Sequence, residues 1–426
     1  MKLRKSNFWT RLDNASKIFP ATSNYRDTKV FRLVCELHDA VEPDILQEAL
    51  NITIEKFPLY KSILRRGIFW YYFESSDIRP VVEIESNPVC APIYIKDRKN
   101  LLFRVFYYNN RINAEIFHAL SDGTGALWFM QTLVYHYLVL RYKEAFIEKV
   151  PDLNYNAAMS KKTEDSFKKY FTGDDIFKLM IRKIKGKKGK KAYRLKGTRT
   201  DENRMKIIEG AMSAKAVLDE AHRYNTTLTI YITSVFFYSI YKEMTARGKK
   251  HPVVLSVPIN LRKIFESETA RNFFGTMNIS YDFSKDNADF EDIVKSVSES
   301  FQRELSKERL VQQLNKFITI ERNTLARLVP LPLKDLSLRI AQFSSDRGIT
   351  ASISNVGRIT MPQEFDPYIR QFSVFTSARR PQITMCTYGD RLVISFASPF
   401  KETDIQRTFF QFLAKKGIEI EISSNM

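Results

Sequence analysis

The chain has 426 residues, of which 44% are hydrophobic and 13% aromatic, and its 67 Lys and Arg against 48 Asp and Glu leave a formal charge of +19 at neutral pH. That apolar content excludes general disorder, and the length exceeds what one core usually serves, so two domains of roughly 200 residues are expected. Cys35, Cys90 and Cys386 lack CxxC spacing and indicate neither a disulfide framework nor a metal site.

A cytoplasmic, reducing setting is expected. The basic N-terminus is interrupted by Arg11 and Asp13 before an apolar core forms, and no uncharged apolar run is long enough to span a bilayer. The positive excess suits an anionic counterpart: nucleic acid, a lipid surface, an acidic carrier protein or cofactor phosphates. Zinc-finger spacing, an RNP-like motif and a basic helix-turn-helix are all absent, which disfavours nucleic acid.

In chain order, residues 30–35 read as a buried strand. A helix begins at Glu42-Pro43-Asp44, where proline is tolerated in the first turn, and stops before Pro58. Residues 60–65 and 68–73 flank Arg66-Gly67 as a hairpin, and 89–94 and 101–108 are further strand candidates. Residues 112–118 alternate as a strand ending at His118. Ser121-Asp122-Gly123 then supplies a turn and cap, and Ala126, Leu127, Met130, Leu133, Val134 and Tyr137 recur at helical spacing. A histidine so presented suits general-base catalysis, because its ordinary pKa of about 6.5 leaves neutral imidazole at pH 7.

Beyond Pro151 the composition changes. Residues 182–199 carry ten Lys and Arg, no acid and several glycines, and read either as an exposed linker or as a patch for an anionic partner. Ser213 caps a helix, residues 227–246 form a long buried helix, and 252–258 a buried strand leading to Asn260-Leu261-Arg262. A loop at 272 enters another strand. Residues 290–310 and 314–328 are expected as helices, with Pro330 and Pro332 breaking the pattern. Strands follow at 349–354, 372–377, 382–388 and 392–398, the last two turning at Gly389-Asp390, and a helix at 402–416 closes the chain.

Three stretches in this order, His118-Ala119-Leu120-Ser121-Asp122-Gly123, Val257 to Arg262 followed by Asn272-Phe273-Phe274-Gly275, and Ser352 to Gly357, resemble the acyl-CoA-dependent acyltransferase superfamily. That superfamily includes chloramphenicol acetyltransferase, peptide-synthetase condensation domains, plant BAHD acyltransferases and alcohol acetyltransferases. Phe117 stands where condensation domains carry a second histidine, and the plant Asp-Phe-Gly-Trp-Gly stretch is absent, so the resemblance is nearest to the alcohol acetyltransferase-like branch.

The resemblance implies an α/β (α+β) fold of two chloramphenicol acetyltransferase-like lobes, with mixed sheets flanked by helices and a channel between them. The lobes would span 1–155 and 207–426, joined by a basic crossover at 156–206. It implies His118 as catalytic base, and Asp122, Gly123 and Arg262 as structural residues with Asp122 paired to Arg262. Ser354, Asn355 and Thr276 are candidate oxyanion or substrate contacts.

The leading expectation is direct transfer from acyl-CoA to an alcohol, a lipid or glycolipid hydroxyl among the candidates, with peripheral contact to a membrane surface. Two alternatives stand beside it. One is an enzyme drawing its acyl group from the phosphopantetheine of an acyl carrier protein to form an ester or amide; the other is a non-catalytic lipid- or nucleic-acid-binding protein.

Overall fold

The computed structural model describes residues 9–13, 15–153, 191–265, 267–284, 288–312, 315 and 328–425. The chain enters through a short strand, Trp9–Arg11 (β1), and a five-residue helix, Ile18–Thr22 (α1). Val30–Leu37 (β2) follows, buried at every position. Pro43–Glu55 (α2) starts with its proline in the first turn, where the missing N–H has no helical partner to lose. The hairpin Ser62–Arg66 (β3) and Tyr71–Ser75 (β4) turns through Gly67, then come Val82–Ile84 (β5), Phe103–Tyr108 (β6) and Arg111–Phe117 (β7). Gly123–Arg141 (α3) lies beside α2 over the resulting sheet, with Tyr60 stacked on Phe129 at 4.4 Å beneath them.

The second half opens with Lys206–Ser213 (β8) and Ala214–Arg223 (α4), whose amide at Ala216 is capped by the Ser213 hydroxyl. Leu228–Lys242 (α5) packs against three helices, which explains an apolar pattern too dense for a surface stripe. Val253–Asn260 (β9), Phe274–Tyr281 (β10) and Phe290–Glu304 (α6) come next, then Leu331–Asp346 (α7) and Ala351–Ile359 (β11). Ile369–Thr376 (β12), Gln382–Tyr388 (β13), Arg391–Ser398 (β14), Asp404–Ala414 (α8) and Glu421–Ser424 (β15) complete the chain.

Seven strands form one mixed sheet in the order β10-β9-β11-β13-β14-β8-β15, five form a second in the order β12-β2-β7-β6-β5, and β1-β4-β3 make a small third. Each large sheet borders its own hydrophobic core. Strand β12 crosses between halves: it pairs antiparallel with β2, so the first sheet is completed by residues more than 300 positions away. The mixed sheets flanked by helices are those the sequence predicts.

The β2–β7–β6 ladder buries charge. Glu115, fully buried, lies opposite Arg32 on one side and Arg104 on the other, and it accepts from Arg32 at 2.8 Å, from Arg104 at 2.8 Å and from the Cys90 amide at 2.6 Å. Both faces of β7 are therefore covered, which is why Phe117 interrupts a polar alternation that would otherwise face water.

Several expectations are corrected. Residues 89–94 are not a strand: Cys90, at φ 55°, turns its amide onto Glu115, and the sheet edge is taken instead by β5, parallel to β6. Pro330 and Pro332 start α7 rather than break a pattern, because a first-turn proline loses no helical hydrogen bond. The short β15 was not anticipated. The expected helix at 314–328 and residues 182–190 of the basic run fall almost wholly outside the described residues. From Lys191 the run is extended, with Tyr193 donating to the Pro252 carbonyl at 2.8 Å. Among the described residues no helix is long and apolar enough to cross a membrane, and the three cysteines are free, buried and pushed by that burial to higher pKa.

Candidate active site

His118 sits one residue past β7, and its amide donates to the Lys29 carbonyl at 2.8 Å. Lys29 itself adopts φ 58°, an unusual conformation for a side-chain-bearing residue. The imidazole stacks on Phe19 at 4.3 Å, meets the edge of Phe31 at 5.1 Å and tilts against Phe274 at 5.5 Å. Aromatic walls on three sides fix the ring plane.

One ring nitrogen is also fixed. His118 Nδ1 lies 3.1 Å from Asn272 Oδ1, while Asn272 Nδ2 donates to the Ser16 hydroxyl at 2.8 Å and to the His118 carbonyl at 2.9 Å. A carbonyl only accepts, so the amide nitrogen of Asn272 must face it and the amide oxygen must face the ring. Nδ1 then carries the proton and donates, and Nε2 keeps its lone pair on the side of the cavity that His118 lines. Burial pushes the imidazole pKa below its ordinary value. Its own backbone carbonyl, Asp122 and Asn272 pull the other way, and Lys29 adds to the depression. The balance favours the neutral ring.

Asp122 does not touch the imidazole. Its Oδ1 caps α3 by accepting from the Gly125 amide at 3.0 Å and takes Arg262 Nη2 at 3.0 Å, while Oδ2 accepts Arg262 Nη1 and the Phe273 amide, both at 2.8 Å. Both partners are at least nine-tenths buried. The Arg262 Nε donates to the Thr269 carbonyl at 2.9 Å, so the fork braces the start of α3 against the loop that carries Asn272. Of the two glycines, Gly123 has nothing within 4 Å of where a Cβ would stand, whereas a Cβ on Gly125 would meet the Ala270 carbonyl at 2.0 Å. The close approach belongs to Gly125, two residues beyond the motif.

A cavity of about 400 Å³ opens at His118, within the range of small-molecule sites. Thr276 on β10 and Ser354 and Asn355 on β11 line it with His118, Asp122, Gly123 and Arg262, so every site residue singled out in the sequence borders one space. Both ends of the Asn355 amide are engaged within the protein: its Nδ2 donates to Thr229 on α5 at 2.9 Å and its Oδ1 accepts the Gly357 amide at 2.8 Å, shaping the bulge where Gly357 takes φ 96°. Asn272 lies within the Asn-Phe-Phe-Gly stretch, but nothing in that stretch points to its contact with His118, and neither Ser16 nor Lys29 carries a local signal. They reach His118 only through tertiary folding.

A family model described as alcohol acetyltransferase matches residues 93–380, about two thirds of the chain, including His118, Asp122, Arg262, Asn272, Thr276, Ser354 and Asn355. The chain belongs to the alcohol acetyltransferase family. No curated protein matches it. Among solved structures, likeness of fold extends over nearly the whole chain: polyketide synthase associated protein 5 from Mycobacterium tuberculosis aligns at 11% identity and TM-score 0.63, covering 95% of this chain and 97% of that one. Trichothecene 15-O-acetyltransferase from Fusarium sporotrichioides aligns at 8% identity and TM-score 0.61 over 96% and 94%. A starter condensation domain of rhizomide synthetase with C8-CoA bound aligns at 12% identity and TM-score 0.61 over 95% and 94%. At such identities these likenesses show the shared fold, and the family supplies the acyltransferase class.

Proposed function

We propose that this acyltransferase moves an acyl group from acyl-CoA directly to an acceptor hydroxyl, with His118 as general base. The observation that carries the reading is the Asn272 contact, which leaves Nε2 of a neutral imidazole as the basic nitrogen on the cavity. Nε2 takes the proton of the acceptor hydroxyl as the oxygen attacks the thioester carbonyl. A C–O bond forms and an oxyanion develops; the C–S bond then breaks and the imidazolium returns the proton to the departing thiolate. The hydroxyls of Thr276 and Ser354 are the donors we assign to the oxyanion or substrate. Asp122, Gly123 and Arg262 hold the loop and the start of α3 in place. In this reading 1–155 and 207–426 act as two lobes joined by 156–206, and both contribute walls to the cavity.

Two relatives support the choice of substrates: one is described as an O-acetyltransferase and another holds C8-CoA. The runner-up draws its donor from a carrier protein, as the condensation-domain likeness allows. The test is product identity: the purified chain is incubated with acyl-CoAs of several lengths and mixed alcohols and amines, and products are resolved by mass spectrometry. Esters support the proposal. Amides alone, or product only from acylated carrier protein, would replace it with the runner-up.

A further inference from the structure

Helix α7 is inside out. Its inward face is polar: Asp335 accepts from the Tyr71 hydroxyl at 2.8 Å, Lys334 donates to the Phe69 carbonyl at 2.9 Å and Arg339 donates to the Ala21 carbonyl at 2.7 Å. Its outward face carries Leu333, Leu336, Ile340 and Phe343, exposed to 57, 54, 62 and 56% of their surface. Steps of three, four and three residues set these side chains in one stripe along the helix. The helix start is tied to the neighbouring hairpin, the Leu331 amide donating to the Ile68 carbonyl at 2.8 Å, and the hairpin tip adds Ile68 and Trp70, exposed to 75 and 38%. The apolar surface is thus continuous across two elements, larger than scattered exposed residues need explain.

Its edges carry positive charge. Arg347 stacks over Phe343 at 4.5 Å and Arg11 over Trp70 at 4.4 Å. The two acids of α7 point elsewhere, Asp335 buried under Tyr71 and Asp346 paired with Arg379 at 2.9 Å. An apolar stripe with an indole at its edge and Arg347 and Arg11 on its aromatic rings matches the interface of an anionic bilayer, where the stripe enters the acyl boundary and the two guanidinium groups meet headgroup phosphates. The same helix reaches the catalytic cavity, because Gln342 and Asp346 on its other side line it.

We propose that α7 and the β3–β4 tip dock this protein on an anionic membrane surface, with the cavity mouth beside the contact so that a membrane-borne hydroxyl is the acceptor. The identity of the acceptor rests on the transfer proposed above; the docking does not.

The test is sedimentation of the full chain with vesicles of phosphatidylcholine alone or with phosphatidylserine added, at low and high salt. Binding to the anionic vesicles, weakened by salt, is expected. The Leu336→Ser/Ile340→Ser/Phe343→Ser variant should partition about tenfold or more weakly, and Ser344→Glu, one turn after Ile340 on the same face, should weaken binding to anionic vesicles alone. Both should melt like wild type and transfer acyl groups to a short soluble alcohol at the wild-type rate. His118→Ala should show the opposite pattern, binding vesicles while losing transfer, so a failure of the chemistry and a failure of the docking are separable. Absence of binding to both vesicle types, or equal binding by wild type and the triple variant, would overturn the docking. So would a dimer in sedimentation velocity that the triple variant dissolves, which would assign the stripe to a second copy of the chain.

Discussion

At the scale of single residues, what matters is how one imidazole is held. The Phe19 stack sets its plane and Asn272 sets which nitrogen carries the proton, so Asn272 acts on the reaction through His118 rather than on the substrate. Removing the base by His118→Ala should cost about 10²- to 10⁴-fold in kcat/KM. Asn272→Ala should lower kcat with little change in KM. Asn272→Asp places an anion beside the ring, favours the imidazolium and should move the acid limb of the pH profile upward.

In the wild type the sign is opposite. Burial favours the neutral ring, which is the active form of a base, so activity should persist as pH falls past about 6.5 and fail only below it. A wild-type acid limb above that value would contradict the environment described for His118. His118, Asp122 and Arg262 were legible because each sits in a short motif. Asn272 was not, because its contact with His118 spans 154 positions and depends on the Arg262 loop folding back.

At the scale of elements, buried charges tie segments together. Arg262→Ala would leave Asp122 without its guanidinium and expose the loop of Asn272 to rearrangement, a loss of about 3–5 kcal/mol. Arg262→Lys should recover only part of that, since an ammonium cannot span both carboxylate oxygens. Chemical denaturation of the two variants measures both values. The glycines of the same turn should separate cleanly: Gly125→Ala drives a methyl into the Ala270 carbonyl and should cost about 1–3 kcal/mol, while Gly123→Ala meets no atom and should stay within about 0.5 kcal/mol of wild type.

Periodicity showed most helices and strands, with boundaries shifted by a few residues. It failed where a pattern served another purpose. Residues 89–94 have strand composition but bend to satisfy Glu115, and α7 hid behind two prolines because its apolar residues face outward instead of marking a core.

At the scale of the molecule, two hydrophobic cores and two large sheets frame one cavity, and the chain closes it by sending β12 back into the first sheet. Three motifs in order made the two-lobed architecture legible, since each marks a wall of the same space. The return of β12 was not legible: a buried strand reads alike whichever sheet receives it, and pairing with β2 is fixed only when both cores exist.

The most direct measurement of the account is release of free CoA thiol from an acyl-CoA, with and without an alcohol acceptor, by wild type and His118→Ala at equal folded concentration. Release that depends on the alcohol and falls by at least about a hundredfold in His118→Ala is the predicted result. Equal release by the two proteins would contradict His118 as the base and, with it, the reading of this cavity.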